Sequence, residues 1–458
     1  MNRHALVLLY FFPPVGTAGA SIRTIKFMKY LTELGWRFTV VAAHPDRQVI
    51  FDPGTTSKYL EDEIPPDTKI LRVPARLRIP SKKRLTNNEG HGDGQPTAQK
   101  KTATGSSALK NSLRGVARWV PWRDLLVPDP VILWIREAYK ALMESNHHEK
   151  FDVIYAAAPP FSILRLATNL KRKLHVPLVL DIKDDWTGSP FLLEKPKIIQ
   201  RIHESLERRI FFEADRVLVV TKPSYRHYTS LYEDFSDKFE YIPNGCDLAD
   251  FEPHESAVSR QPNDKFTIIS AGGYYRDSRN PEPLFRALGE LIRQNRIDES
   301  KVEILLIGDS LHKDFSNEDL ASFGVDKIVR QVAPLPKSAY IEQLRQADLL
   351  LSILYEGGYA TMVPGKLYEY WAAGWPPVLM LDDGGAAREL LEEYELGNAV
   401  DRRDVAGIVR ALDGYYNAWR DGSPKTIPLE NIEKFDRKNL ASGLHDIFLD
   451  VLNDRGEL

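Results

Sequence analysis

The sequence predicts an α/β protein built as two Rossmann-like, doubly wound parallel-sheet domains facing a central cleft. Three observations carry that expectation. Short, continuous apolar runs recur along the chain, as central strands covered on both faces require. Most are followed by a segment with apolar residues spaced at threes and fours, the mark of a helix lying on a sheet. The alternation then starts a second time beyond a turn-rich stretch near Gly245, so one architecture is used twice.

The opening run, residues 6–12, reads as a buried strand. Gly16-Thr-Ala-Gly19-Ala-Ser21 follows, and Ile22, Ile25, Met28, Leu31 and Leu34 then recur at threes, with Ser21 the expected N-cap and Gly35 the expected C-cap. A second run, 38–43, completes a right-handed βαβ unit. The pattern returns as strand 152–157, helix 161–174, strand 177–182, helix 197–212 and strand 217–220. Pro243 and Asn244-Gly245 mark a turn. The second series comprises strand 266–271, helix 281–293, strand 302–308, helix 341–347, strand 349–354, helix 365–373 and strand 378–381. Residues 429–452 have helical periodicity and no strand after them. The expected domains are 1–240, 241–428 and a terminal helix, 429–458, packing back toward the first.

Composition narrows the function. The 458 residues hold 61 Lys and Arg against 64 Asp and Glu, a net charge of −3, so no global field favours nucleic acid. The single cysteine, Cys246, excludes an internal disulfide framework and a Cys-based zinc site. Residues 5–12 resemble the apolar core of a signal peptide, but Pro13-Pro14 stops the run early. No stretch approaches the roughly 20 apolar residues of a membrane span. A cytoplasmic protein is expected. Residues 82–108 hold only Leu85 and three alanines as apolar residues, too little to offset the entropy of ordering, and 82–112 reads as a flexible insertion.

Chemistry-bearing residues fall where strands are expected to end. The Gly16–Ser21 loop opens a helix directly after a strand, so its N–H groups favour an anion. It is not G-x-G-x-x-G, which argues against a dinucleotide. Gly272, Gly273, Arg276 and Arg279 repeat the strand–glycine–helix logic in the second series. Pro364-Gly365-Lys366 starts a helix beside an ammonium, an electrostatic seat for phosphate, and Glu369 lies three residues on, suited to the hydroxyls of a ribose. A plain surface Lys–Glu pair fits the same spacing. Asp181, Lys183, Asp184, Asp185 and Trp186 follow a buried strand; the acids could bind a metal, act as a base, orient an acceptor's hydroxyls or simply cap a turn. Tyr355, Tyr359 and the loop 332–336 are candidate neighbours of a base or sugar.

Taken together, 181–186, Tyr241-Ile-Pro-Asn-Gly-Cys-Asp247, 271–284 and 366–376 resemble the successive motifs of retaining, GT-B-fold glycosyltransferases of family four. Tyr10-Phe-Phe-Pro-Pro-Val-Gly16 with Arg23, Val127-Pro-Asp-Pro130 with Trp134, Ala158-Pro-Pro-Phe-Ser162 and Ala214-Asp-Arg-Val217 agree, in the family's order. The resemblance implies a nucleotide-diphospho-sugar donor held mainly by the second domain and a saccharide or lipid-linked acceptor on the first. Arg279 and Lys366, helped by the Gly16 and Gly19 loop, would hold the diphosphate, Glu369 the ribose, and Asp184 would face acceptor and sugar. It implies a retaining hexosyl- or deoxyhexosyltransferase of polysaccharide or glycolipid biosynthesis, with no metal and no cofactor. Two positions depart from the family: Thr361 stands where a first Glu is common, with Glu356 nearby, and Tyr274 where Arg is common. The same residues would also suit a nucleotide-sugar epimerase or hydrolase, or a non-catalytic subunit that binds a nucleotide sugar. Arg114, Arg118, Trp119, Trp122 and Arg123 mix basic and aromatic residues, the composition of a peripheral membrane contact.

Overall fold

The computed structural model describes residues 3–14, 18–49, 58–77, 126–145, 150–251, 263–276, 278–308, 311–356, 360–454 and 456. Gly16, Tyr359, the 82–112 insertion and the stretch from Arg114 to Arg123 lie outside the described residues.

Two parallel sheets organise the chain. The first contains β1 (Arg3–Leu8), β2 (Trp36–Ala43), β3 (Lys69–Val73), β4 (Val153–Ala158), β5 (Leu178–Ile182), β6 (Arg216–Val219) and β7 (Phe239–Tyr241), in the order β3-β2-β1-β4-β5-β6-β7. Among them run α1 (Ala18–Glu33), α2 (Ile135–Glu144), α3 (Ser162–Leu174), α4 (Lys197–Glu213) and α5 (Lys222–Leu231). The second contains β8 (Phe266–Ala271), β9 (Val302–Ile307), β10 (Val329–Val332), β11 (Leu349–Ile353), β12 (Val378–Asp382) and β13 (Gly397–Asp401), in the order β10-β9-β8-β11-β12-β13. Its helices are α6 (Glu282–Arg293), α7 (Asn317–Phe323), α8 (Lys337–Gln346), α9 (Gly365–Ala372), α10 (Ala386–Glu393) and α11 (Val405–Arg420); α12 (Arg437–Asn453) ends the chain. Each sheet begins in its middle and grows both ways. Its topological switch point lies between β1 and β4 in the first and between β8 and β11 in the second.

The two-residue period of a strand divides the second core into two layers. Phe266, Ile268, Ile304, Leu306, Leu349, Leu351, Leu379 and Leu381 face α6 and α11. Their alternates Ile269, Ile307, Leu350, Val378 and Met380 face α8, α9 and α10. Because both faces are covered, β4, β5, β11 and β12 are buried at every position and read as near-continuous apolar runs, broken only by Asp181, Ser352 and Asp382 toward their carboxyl ends.

Several boundaries differ from expectation. β1 covers 3–8 rather than 6–12; Leu9 and Tyr10 leave the strand while still bonding to Val41 and Ala43, and Phe12 is buried beneath the Arg72 guanidinium. α1 begins at Ala18, so Ser21 is a buried residue inside the helix and not its cap. Gly35, at φ +86°, closes the turn after α1 as expected. The edge strands β3, β7, β10 and β13 were not foreseen: they are short and partly exposed, and so lack an apolar run.

By compactness the chain falls into two units, one of residues 1–21, 37–180 and 195–214, the other of 22–36, 181–194 and 215–458. The second unit therefore includes α1 from Ile22 onward. Lys26 Nζ donates to Asp247 at 2.5 Å, Tyr30 hydroxyl donates to the other Asp247 oxygen, and Arg23 donates to the carbonyls of Ile242 and Pro243. In the same unit Trp36 Nε1 donates to His445 Nδ1 of α12 at 2.9 Å.

Candidate functional site

Ligands of open parallel sheets bind beyond the carboxyl ends of the strands at the switch point. In the second sheet β8 runs there into Gly272, at φ +135°, a conformation that side chains other than hydrogen rarely allow. Gly308, just after β9, presses against it: a Cβ on Gly308 would lie 2.2 Å from the Gly272 carbonyl oxygen. The β8–β11 side is tied by Tyr370 of α9, whose hydroxyl accepts from Ala271 N–H at 2.9 Å and donates to the Leu351 carbonyl at 3.3 Å.

Two cations occupy the space over this glycine. A Cβ on Gly272 would lie 2.7 Å from Lys366 Nζ and 3.2 Å from Arg279 Nη1. Lys366 stands in the first turn of α9, which follows Pro364 without a side-chain cap, so first-turn N–H groups stay open. Gly365 beside it faces open space and is exposed. Lys366 Nζ donates to the Ala271 carbonyl at 2.6 Å. Burial, and secondly the Arg279 charge, push its ammonium down to about 8 against a smaller pull from Glu369. The Arg279 guanidinium lies 4.5 Å from the ring centre of Tyr355, and its Nε is buried without a hydrogen-bond partner. Among the described residues neither cation has an ion pair. Like charges at this separation repel, and an anion between them would relieve that repulsion.

Glu369 lies one helical turn from Lys366, where Tyr340 donates its hydroxyl to Oε2 at 3.0 Å. Burial and then the Glu369 charge keep the Tyr340 phenol well above its usual range, so it stays a donor. One carboxylate oxygen is thus oriented by protein. Beside the cations Arg279, Tyr355, Met362, Pro364, Asp383 and Gly384 line a small recess. Asp383 accepts from Arg402 at 2.7 Å. Thr361 is half-buried next to Met362, and Glu356 is exposed.

The structure thus gathers Gly272, Arg279, Gly365, Lys366 and Glu369. Gly273 adjoins them, with its own space filled by Tyr275. Arg276 does not join. Its backbone N–H and guanidinium bond to Asp314, its Nη2 meets Asp319 at 3.3 Å, and it packs over Phe315 at 4.5 Å. Tyr340 and Tyr370 escaped the sequence reading because a tyrosine on an apolar helix face carries no signal beyond core packing. Gly19 lies in the first turn of α1.

A second cluster sits at the end of β5. Asp181 is fully buried and accepts from Arg23 Nε at 3.0 Å, so it serves an internal ion pair. Trp186 is buried, its N–H donating to Tyr228 hydroxyl at 3.0 Å, and Asp185 is buried as well. Between them, burial lowers the Lys183 ammonium, against the pull of Asp181 and Asp184. Burial raises the Asp184 carboxyl, opposed by Lys183 and reinforced by Asp185. That suits Asp184 to taking or sharing a proton. Among the described residues no three His, Cys, Asp or Glu side chains come together as a metal site, and no helix is long and apolar enough to cross a membrane.

Fold and site together define a protein of two doubly wound sheets whose second switch point concentrates positive charge. Residues 101–250 match the family model of Glycosyltransferase Family 4. The D-inositol 3-phosphate glycosyltransferase of Nocardia farcinica is 26% identical over 189 residues, 39% of this chain and 40% of that protein. A second relative of that name, from Corynebacterium kroppenstedtii, is 22% identical over 262 residues, 54% of this chain and 55% of that protein. The chain therefore spans about half the length of these relatives, or less. Among solved structures, sucrose-phosphate synthase from Thermosynechococcus elongatus superposes with a TM-score of 0.65 at 13% identity, covering 99% of this chain and 100% of that one. HepE of Anabaena in complex with UDP-glucose gives 0.59 at 15% identity, covering 98% and 99%. The chain has the GT-B fold, and its resemblance to the family-four glycosyltransferases is borne out.

Proposed function

We propose that this chain is a glycosyltransferase that moves a glycosyl group from a nucleotide-diphospho-sugar to an acceptor hydroxyl. The observation that carries this reading is the Lys366–Arg279 pair over Gly272, two cations side by side without a carboxylate partner among the described residues. A diphosphate supplies the missing charge, and the open first turn of α9 supplies N–H donors to it. Glu369, oriented by Tyr340, takes the ribose hydroxyls with its second oxygen. Thr361 borders the donor's sugar end.

In the reaction the acceptor oxygen bonds to the anomeric carbon as the bond from that carbon to the diphosphate oxygen breaks. Lys366, Arg279 and the helix N–H groups take up the charge on the departing diphosphate, the electrostatic assistance that is worth most in a water-poor site. Asp184 is assigned the acceptor's proton, and Lys183 and Asp185 hold its surroundings. We assign retention of configuration, a hexosyl or deoxyhexosyl group, and a saccharide or lipid-linked acceptor of polysaccharide or glycolipid synthesis on the family resemblance. A cytoplasmic setting belongs to the same proposal, as does a chemistry without metal or cofactor.

The test is a panel of nucleotide sugars, beginning with UDP-glucose, scored first by thermal shift and then by release of nucleoside diphosphate with and without acceptors. Acceptor-dependent release supports glycosyl transfer. Release without any acceptor makes the chain a hydrolase, interconversion of the donor an epimerase, and binding without turnover a non-catalytic partner. No shift with any donor overturns the reading.

A further inference from the structure

The three-helix face of α2, α3 and α4 presents an arginine surface that the donor site does not use. α3 packs against both α2 and α4, leaving a groove on either side. Arg165 of α3 borders both grooves. Arg136 and Arg172 line the first with Ile132, Ile135 and Tyr139, and Arg201 and Arg209 line the second with Ile202 and Leu206. Arg172 and Arg209 share Glu213, but Arg136, Arg165 and Arg201 have no ion pair among the described residues.

α4 adds an unusual outer face. At 100° per residue, Ile198, Arg201, Ile202, Ser205, Arg209 and Phe212 fall within an arc of about 100°. Ile198 is 64% exposed, Ile202 44% and Phe212 56%. A solvated helix face would alternate charges of both signs; this one alternates arginine with large apolar side chains. Arginine and isoleucine in one stripe match a surface that is anionic outside and hydrocarbon beneath, since the guanidinium stays at the headgroups while the apolar group reaches past them. The chain's own segment 78–125 holds ten Lys and Arg against three Asp and Glu, so its charge has the same sign as the grooves and does not complement them.

We infer that this face docks on an anionic lipid bilayer, with Arg136, Arg165 and Arg201 on the headgroups and Ile198, Ile202 and Phe212 entering the acyl boundary.

The test is co-sedimentation of the full chain with vesicles of phosphatidylglycerol and phosphatidylcholine, against vesicles of phosphatidylcholine alone, at low and high salt. The parent is expected to bind the anionic vesicles only and to release as salt rises. At about 1 kcal/mol for each basic residue near such a surface, Arg165→Gln with Arg201→Gln is expected to weaken binding about thirtyfold. Ile198→Ser with Ile202→Ser is expected to weaken it at unchanged charge. Arg293→Gln with Arg403→Gln removes the same charge from exposed positions elsewhere and is expected to change binding less than threefold. All three variants alter exposed residues, and an unchanged thermal midpoint confirms that they fold. No binding by the parent overturns the inference. Equal loss in the control variant, or full binding by the two face variants, also overturns it and assigns the affinity to overall charge or to another segment. Donor binding is measured on the same samples, so failure here is distinguishable from failure of the glycosyltransferase reading.

Discussion

Lys366 and Arg279 meet over the Cα of Gly272, two positive side chains brought to one glycine from helix α9 and from the loop after β8. Burial, and secondly the Arg279 charge, hold the lysine at about 8, so it is a cation poised near neutral pH. Replacing Lys366 with alanine removes one of the donors proposed for the leaving diphosphate. Sites of that type lose about 3–4 kcal/mol per donor, and turnover is expected to fall at least tenfold with saturating donor. A steady-state assay checks this, and unchanged turnover removes Lys366 from the mechanism.

The same lysine predicts a pH dependence with a definite sign. An ammonium depressed to about 8 loses its proton as pH rises through that value, while a bound diphosphate favours the charged form and raises it. Affinity for a nucleoside diphosphate is therefore expected to be flat below about 8, then to fall by up to about tenfold per pH unit until the bound-state value is passed. Calorimetry between pH 6.5 and 9.5 measures it. Lys366→Arg, which keeps its charge throughout, should flatten the curve.

Gly272→Ala tests the cradle itself. The substitution strains a backbone at φ +135° and drives a methyl group toward Lys366 Nζ, 2.7 Å from the ideal Cβ position. A cost of about 1–3 kcal/mol in stability and a loss of pyrophosphate binding are expected. If urea unfolding shifts while pyrophosphate affinity stays at the parent's value, the cations do not form the anion seat.

Tyr340→Phe removes the hydroxyl that orients Glu369 and leaves the ring in place. A hydrogen bond to a charged group contributes about 1.5–3 kcal/mol. The variant is expected to lose affinity for a nucleoside diphosphate while inorganic pyrophosphate binds as before. Equal loss of both would place Glu369 away from the ribose.

Asp247 predicts an acid limit. Burial alone would raise its carboxyl, but hydrogen bonds from Lys26 and Tyr30, together with the charges of Lys26 and Lys29, hold it down at about 2. A carboxyl depressed on folding adds stability above its unfolded value of 3.8, and that contribution is lost as pH falls through about 2. Asp247→Asn is expected to lose at least about 2 kcal/mol at pH 7. The gap to the parent should narrow between pH 4 and 2 in urea unfolding curves. A constant gap would mean that the side chain's charge is not what joins α1 to residues 242–250.

Strand–helix alternation, the doubled architecture and the glycine and basic residues at strand ends were all legible in the sequence. They are local: an unbroken apolar run is what burial on both faces demands, and a glycine before a helix start is what a tight approach demands. Edge strands such as β7 and β13 left no such trace, because half-exposed strands of three to five residues resemble any loop. At the site, Lys366 and Glu369 were readable from helical spacing.

Which cation accompanies Lys366 was decided only by tertiary structure. Arg276 and Arg279 sit three residues apart in one loop and are equal as symbols, yet Asp314 and Asp319 take up the first and Gly272 faces the second. The tyrosines at 340 and 370 gained their roles in the same way, from partners 29 and 99 residues away. Sequence alone determined the elements and the kinds of charge near the strand ends, because those depend on neighbours along the chain. Pairing depends on neighbours in space, and only the packed sheets settle which charges are neutralised internally and which are left to meet a ligand.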